Sequence, residues 1–276
     1  MGLFFAIIIV LGWVISYFYN APVILYFAII FSIFMNIFSY WFSDKIVLKL
    51  HKAKPATRQE YFDLWNITEN LSITAGLPMP KLYVIDDPSP NAFATGRNKE
   101  HAVVCVTAGL IALLSKNELE GVIAHELSHI GNKDMLLSTI VVVLAGFVVL
   151  ISDIFLRSRF HNNRDREGNA GAILLIIGLV LAILAPIAAT LIKLAVSRKR
   201  EFLADASGAL LTRFPEGLAN ALRKISAISV PMRTANNATA HLFISNPFNN
   251  LKTSKLSHLF MTHPPVEERI AALVGK

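Results

Sequence analysis

Two histidines and a glutamate near the middle of the chain have the spacing of a metal-binding site. His125 and His129 are four residues apart, so on a helix they lie about 40° apart on one face and both imidazoles can reach a single ion. Glu126 lies beside that face, where it can accept a proton from a water at the ion without binding the ion itself. The pattern therefore predicts a zinc site with its own general base.

The sequence around these residues is typical of an amphipathic helix. Ser115 and Glu118 have the spacing of a capping box. Apolar residues follow at helical intervals, namely Leu119, Val122, Ile123, Leu127 and Ile130. Gly121, one turn before His125, is expected to leave the metal-binding face open. A purely structural role would bury two histidines and a glutamate without a charge partner, which is costly, so we favour the metal site.

A catalytic zinc takes three protein ligands, so the third must come from another part of the chain. Glu201 is the best candidate, because it directly follows an apolar segment that returns the chain to the side of the two histidines. Asp205 lies one turn further along the same helix face, where it can orient a ligand histidine through the other ring nitrogen. The alternatives are a surface carboxylate that neutralises Arg198 and Arg200, for Glu201, and a surface or capping role, for Asp205.

The chain is too apolar for an ordinary soluble domain. Of its 276 residues 54% are hydrophobic, and the mean hydropathy is +0.53. Four runs carry no charged residue: 3–19, 23–42, 135–150 and 171–192. An uncharged run of about 18 residues or more predicts a membrane-spanning helix, and the second and fourth runs reach that length. Buried core helices are the alternative for these runs.

Basic residues follow the second and fourth runs, which is the positive-inside pattern and places 43–134 and 197–276 in the cytoplasm. This pattern also accounts for the net charge of +7, so nucleic-acid binding is not expected. Loop 157–170 is basic as well, although two full crossings would place it outside. Either the third and fourth runs do not fully cross the bilayer, or the first two runs and the short loops outweigh the charge of this loop in setting the orientation. The first run has no Lys or Arg before it and no cleavage pattern, so it is not expected to be a removable signal peptide.

Alternating apolar residues predict strands at 81–86, 91–96 and 101–107, and helices are predicted at 57–76, 198–211, 215–229 and 264–273. Residues 231–250 are expected to form a loop. The small side chains of the second strand suit main-chain pairing with an extended peptide. Its first residues, Asn91, Ala92 and Phe93, are candidate substrate-binding residues; an internal sheet strand is the alternative.

The other candidate reactive groups are given ordinary roles. Cys105 lies in a strand-like run and is expected to be a small buried apolar residue rather than a nucleophile. As the one cysteine it cannot form an intrachain disulfide, which suits a reducing compartment. The isolated histidines are expected to be surface or core residues: His51, His101, His161, His241 and His258.

The motifs together resemble the HtpX family of bacterial membrane proteases, which are relatives of the type I CAAX prenyl proteases among the gluzincin metallopeptidases. The resemblance covers nearly the whole chain and rests on the His-Glu-x-x-His motif, the Glu-Phe-Leu-Ala-Asp segment at 201–205 and the arrangement of the four apolar runs. It extends to Asn-Ala-Phe-Ala-Thr-Gly at 91–96 and to Thr-His-Pro-Pro at 262–265, followed by Glu-Arg-Ile at 268–270.

The resemblance implies one Zn²⁺ per chain, bound by His125, His129 and Glu201, with Glu126 as the catalytic base. It also implies a multi-pass protein of the bacterial inner membrane, with its active site facing the cytoplasm and a role in quality control of misfolded membrane proteins. His263 is a candidate donor to the oxyanion; capping of the zinc in a resting state and a structural role remain open. Arg269 is expected to pair with a carboxylate near the site.

The expected fold is a membrane protein, mainly α with a small β-sheet, in which a gluzincin-like zinc metallopeptidase domain carries two transmembrane hairpins. The predicted regions are an N-terminal hairpin (1–42), the first part of the protease domain (43–134), a second apolar hairpin (135–196) and the second part of the domain (197–276). The expected partners are unfolded or damaged membrane proteins and the lipid bilayer, and the oligomeric state is not predicted. Two other functions stay open: processing of prenylated C-termini, and a catalytically silent zinc-binding scaffold, against which the presence of Glu126 argues.

Overall fold

The computed structural model describes residues 2–18, 20–135, 138, 198–236, 239–248 and 264–275. The helices within them are α1 (Gly2–Phe18), α2 (Pro22–Leu50), α3 (Phe62–Ala75), α4 (Ala108–Leu113), α5 (Lys116–Gly131), α6 (Arg198–Thr212), α7 (Pro215–Ala227) and α8 (Val266–Val274). The strands are β1 (Lys54–Pro55), β2 (Lys81–Ile85), β3 (Ala92–Gly96) and β4 (Ala102–Thr107). Most of the predicted second hairpin, loop 157–170 and three histidines lie outside the described residues: His161, His258 and His263.

The prediction of a mainly helical chain with a small sheet is confirmed. The three predicted strands and the helices around 120, 205 and 220 form close to their expected bounds, whereas the first predicted helix of the domain begins later, at Phe62. The short elements α4 and β1 were not predicted, because six and two residues are too few to show a period.

The sheet is mixed, with the order β1-β2-β4-β3. Strand β4 pairs in parallel with β2 and antiparallel with β3, so that β3 lies at one edge. One face of the sheet packs under α3, α5 and α7 in the larger hydrophobic core. The opposite face carries Phe93 and the fully buried Cys105, whose burial raises the pKa of the thiol well above its usual range. Cys105 is therefore a buried apolar residue, as the sequence predicted.

Helix α2 connects the apolar N-terminal region to this second face of the sheet. Among the described residues it is the one helix long and apolar enough to cross a membrane, and α1 packs against it. Its 29 residues span about 43 Å, whereas the hydrocarbon core of a bilayer is about 30 Å thick. A membrane-spanning α2 would therefore extend beyond the hydrocarbon core, and Val47 and Leu48 near its end are buried against the sheet.

His51 closes this junction directly after the end of α2. Its side chain is fully buried, and its two ring nitrogens each lie 3.0 Å from a threonine hydroxyl, those of Thr234 and Thr239. The ring also packs against Phe93 and Phe243, with centroids 6.0 and 5.0 Å away. The apolar helix, the edge strand β3 and the segment after α7 thus meet at one imidazole.

Acidification is expected to destabilise the protein partly through His51. Burial lowers the pKa of His51 to about 4, against the opposing charge of Asp87, whereas an unperturbed histidine has a pKa of about 6.5. As the pH falls below about 6.5, His51 becomes protonated in the unfolded chain but stays neutral in the folded chain. The free energy of unfolding therefore decreases, by up to about 3 kcal/mol at about pH 4. His51→Gln keeps a polar group without a titratable charge and should flatten the pH dependence of thermal unfolding in this window.

The control is His101→Gln, at an exposed histidine of the same domain. An equally steep loss of stability in the wild type and in His51→Gln would contradict the expectation.

Candidate active site

Helix α5, which carries the His-Glu-x-x-His motif, is fixed at its first turn and along its flank. The Ser115 N–H donates to the Glu118 carboxylate at 2.7 Å, and Lys224 of α7 donates to the same carboxylate at 2.7 Å. The prediction that Gly121 leaves the metal-binding face open is wrong. This residue is the contact point for α7, since a Cβ at Gly121 would lie 2.6 Å from the Leu218 nitrogen.

A second glycine brings the third candidate ligand into place. A Cβ at Gly208 would lie 3.0 Å from the backbone nitrogen of His125, so α6 crosses α5 with almost no side chain between the two backbones. Glu201 lies two turns before Gly208 on the same helix. The close crossing therefore lets its carboxylate reach the two histidines.

The three candidate ligands converge on one point. One ligand atom from each of His125, His129 and Glu201 lies within 4.8 Å of the other two. The two Nε2 atoms are 3.2 Å apart, and the Glu201 oxygens lie 3.8 and 3.6 Å from the Nε2 atoms of His125 and His129. Donors about 2.05 Å from a tetrahedral ion are separated by about 3.3 Å, so the three groups fit such an ion closely.

The surroundings of the imidazoles direct their lone pairs towards the same point. The Nδ1 atom of His129 lies 3.3 Å from Asp134, and that of His125 lies 2.9 Å from Asp205, a charge contact outside good hydrogen-bond angles. Each carboxylate favours a proton on the Nδ1 atom beside it, which leaves the Nε2 lone pairs facing each other. Two lone pairs 3.2 Å apart repel unless a cation or a proton lies between them.

Glu126 has the environment of a general base. It is 2% exposed, and the Ala94 N–H of the edge strand β3 hydrogen-bonds to its carboxylate. Burial raises the pKa of Glu126 to about 7, an effect that the charge of His129 opposes and that of Glu201 reinforces. A carboxylate with a pKa near neutrality can both accept and return a proton.

Asp205 is the carboxylate that links the ligand His125 to the C-terminal helix. Arg269 of α8, itself 1% exposed, donates two hydrogen bonds to Asp205, at 2.8 and 2.7 Å. Burial would raise the pKa of Asp205, but Arg269 and His125 lower it to about 2. Arg269 also approaches Glu201 to 3.9 Å. The sequence predicted a carboxylate partner for Arg269 without identifying it, and the structure shows that this partner is Asp205.

A cavity of about 30 Å³ opens between these groups, with room for an ion and about one water. Its walls include two residues that the sequence did not single out as functional, His241 and Ile244. The Nε2 atom of His241 lies 3.3 Å from the Ser138 carbonyl oxygen. An isolated histidine has no spacing signal, so only the folded chain shows that it belongs to this wall.

The candidate substrate-binding residues lie at the edge of the sheet, beside Glu126. Ala92 is the first residue of β3, and Asn91 precedes it. The side chain of Phe93 is fully buried on the far face of the sheet, so this residue can present only its main chain to a peptide. His263 lies outside the described residues.

Comparison with known proteins agrees with this geometry. The model of peptidase family M48 matches residues 58–276. A protease HtpX homolog from Caldanaerobacter subterraneus subsp. tengcongensis is 48% identical over 277 residues, which cover 98% of this chain and 91% of the relative. A protease HtpX homolog from Dictyoglomus turgidum is 47% identical over 98% of this chain and 88% of its own. The crystal structure of S. mikatae Ste24p shares the fold at 19% identity, with a TM-score of 0.54, over 97% of this chain and 62% of that longer chain.

Loss of Arg269 is expected to weaken both the fold and the metal site. Arg269→Met leaves the buried Asp205 without its cation, which should lower the free energy of unfolding by about 3–5 kcal/mol. It should also reduce divalent-metal affinity about 10–100-fold, because Asp205, which orients His125, loses the two hydrogen bonds that fix it in position. Thermal unfolding and chelator competition measure the two effects, and Arg269→Lys, which keeps the charge, should fall between Met and the wild type.

Glu268→Gln provides the control, since Glu268 is an exposed neighbour on α8. Wild-type metal affinity in Arg269→Met would show that Arg269 does not support the site.

Proposed function

Because the chain belongs to peptidase family M48 and is a metallopeptidase, we propose that it is a zinc-dependent endopeptidase of a bacterial membrane. The observation that carries this proposal is the convergence of His125, His129 and Glu201 beside a buried Glu126. Two nitrogens and one carboxylate oxygen leave a fourth position open, as catalytic zinc sites do and closed structural sites do not.

Zinc is the ion that the donors fit best. Imidazole nitrogens with a carboxylate in near-tetrahedral spacing suit Zn²⁺, whereas Ca²⁺ and Mg²⁺ take sets of oxygen ligands. We assign one zinc per chain to His125, His129 and Glu201, with Asp205 behind His125. When bound there, zinc supplies the Lewis acidity that activates a water and polarises a peptide carbonyl.

The residues of the chain then handle the protons. Glu126 accepts the proton of the attacking water and delivers it to the departing amine, which its pKa of about 7 permits in both directions near neutral pH. The Ala94 N–H holds the carboxylate in position. His263 is assigned as a donor to the developing oxyanion, on the basis of the Thr-His-Pro-Pro motif that it belongs to.

The substrates that suit this site are unfolded or damaged membrane proteins. A strand edge that includes Asn91, Ala92 and the main chain of Phe93 recognises an extended backbone with little regard for side chains. We infer that α2 anchors the catalytic domain at a membrane surface, and the basic residues after the apolar runs support a position on the cytoplasmic side of a multi-pass protein. The division of the chain into an N-terminal hairpin (1–42), a first part of the protease domain (43–134), a second hairpin (135–196) and a second part of the domain (197–276) belongs to the same proposal.

Replacement of the base is expected to separate metal binding from catalysis. Glu126→Gln should lower cleavage of an unfolded membrane substrate by at least about 10²–10⁴-fold, because the carboxylate that moves the proton is gone. About one zinc per chain should remain bound, since the three ligands are untouched. Glu120→Gln, on the same helix but outside the site, should keep wild-type activity.

The same assay identifies the other functions. Equal cleavage by Glu126→Gln and the wild type would remove Glu126 from the mechanism. Bound zinc in both proteins with cleavage by neither would favour the catalytically silent zinc-binding scaffold. Cleavage of a prenylated peptide in preference to unfolded substrates would favour C-terminal processing.

Zinc affinity is expected to rise with pH. Burial alone would lower the pKa of His129, but the hydrogen bond with Asp134 and the charge of Glu201 raise it to about 9. The ligand must lose that proton, so each pH unit below about 9 should cost about tenfold in apparent affinity. Chelator competition at about pH 6.5, 7.5 and 8.5 measures the slope, which Asp134→Asn should reduce. A constant affinity across this range would show that no ligand proton is displaced.

A further inference from the structure

We propose that residues 239–245, here called the strap, occupy the peptide-binding edge of β3 in the resting enzyme and must leave it before a substrate binds. The inference rests on the proposed peptidase function, because it concerns the regulation of the same site. It follows from where the main chain of the strap is held and from how little space remains beside it.

The strap pairs with β3 on the side away from β4. The Ile244 N–H donates to the Ala92 carbonyl oxygen at 2.9 Å. In an antiparallel pair, successive residues turn their polar groups alternately towards and away from the neighbouring strand, so Ala92 and Ala94 face outward together. Ala94 uses its N–H to hold Glu126. The outward carbonyl of Ala92, which a peptide joining the sheet would need, is thus already taken by the strap.

The last residues of the strap, which follow a short 3₁₀ turn at Ala240–Leu242, are held through their main chain, as an extended peptide would be. The Asn91 side chain donates to the Ser245 carbonyl at 2.9 Å and accepts from the Ser245 N–H at 3.2 Å. Arg269 donates to the Ile244 carbonyl at 3.3 Å. None of these bonds uses a strap side chain, so any extended backbone could replace Ile244 and Ser245 against the same groups.

The space beside the catalytic groups is too small for a substrate while the strap is in place. His241, Leu242 and Ile244 line the cavity that also contains the histidines and Glu201. The cavity of about 30 Å³ has room for an ion and about one water, but not for an extended peptide segment. Peptide cleavage at this site therefore requires the strap to move.

The strap is anchored from behind to the end of the apolar helix. Thr239 lies against one ring nitrogen of His51, and the fully buried Phe243 packs against the same imidazole and against Phe93. A displacement of α2 relative to the sheet would therefore act on the strap directly. This gives the membrane segment a physical route to the peptide-binding edge.

A proline in the strap tests the proposal. Ser245→Pro removes the N–H that Asn91 accepts, whereas Ser245→Ala keeps both main-chain bonds. In the zinc-loaded full-length protein in detergent, Ser245→Pro should raise kcat/KM for an unfolded substrate about tenfold, the worth of one net hydrogen bond. Ser245→Ala should match the wild type, and both variants should keep wild-type zinc content and a cooperative thermal unfolding transition. Unchanged or lower kcat/KM in a folded Ser245→Pro would overturn the proposal.

Hydrogen exchange provides a second measurement that does not depend on the proline. Zinc-loaded Glu126→Gln is saturated with the unfolded substrate, and helix α7 serves as the internal reference. Amides of residues 92–96 should gain protection while those of residues 239–248 lose it. Protection gained at 92–96 with none lost at 239–248 would overturn the strap and leave the peptidase intact. A wild-type protein that cleaves no substrate would overturn the proposed function and the strap with it.

Discussion

Three carboxylates buried together set the main constraint on this structure. Glu126, Glu201 and Asp205 are each at most 5% exposed, and Arg269 is the one buried guanidinium among the described residues that faces them. With neutral imidazoles this set carries two uncompensated negative charges, which a divalent cation balances. Protons compete for the same role: burial raises the pKa of Glu126, and Asp134 and Glu201 raise the pKa of His129 against the effect of its burial. The packing of α5, α6 and α8 brings these charges together.

The sequence predicted the parts of the site that lie within one helix and could not predict the contacts between helices. The spacing of His125, Glu126 and His129 is readable because a helix has a fixed period. Asp205 and Arg269 are 64 residues apart, and no period relates two positions at that separation. His51 and His241 were set aside as isolated histidines, yet tertiary contacts place one in the α2 junction and the other in the wall of the cavity.

The glycines illustrate the same limit. Gly121 could be placed on the metal-binding helix from the sequence, but the face that it opens depends on which helix packs there, and that helix is α7. Gly208 carried no signal, although it sets the distance between α5 and α6 at His125. A glycine in the sequence can indicate a close contact with another part of the chain, but only the folded structure shows which part makes that contact.

In the proposed peptidase, the end of α2 would restrict which substrates can reach the active site. Main-chain recognition by Asn91 and Ala92 would accept almost any extended peptide, which is hazardous for a free protease. Helix α2 is roughly 13 Å longer than the hydrocarbon core is thick, and Val47 and Leu48 near its end are buried against the sheet, so a membrane-spanning α2 would hold the domain close to the bilayer. At the same junction, Arg97, which follows β3, lies 4.4 Å from the ring of Trp41 on α2. In the proposed function, this position would restrict the protease to unfolded backbone that lies close to the membrane.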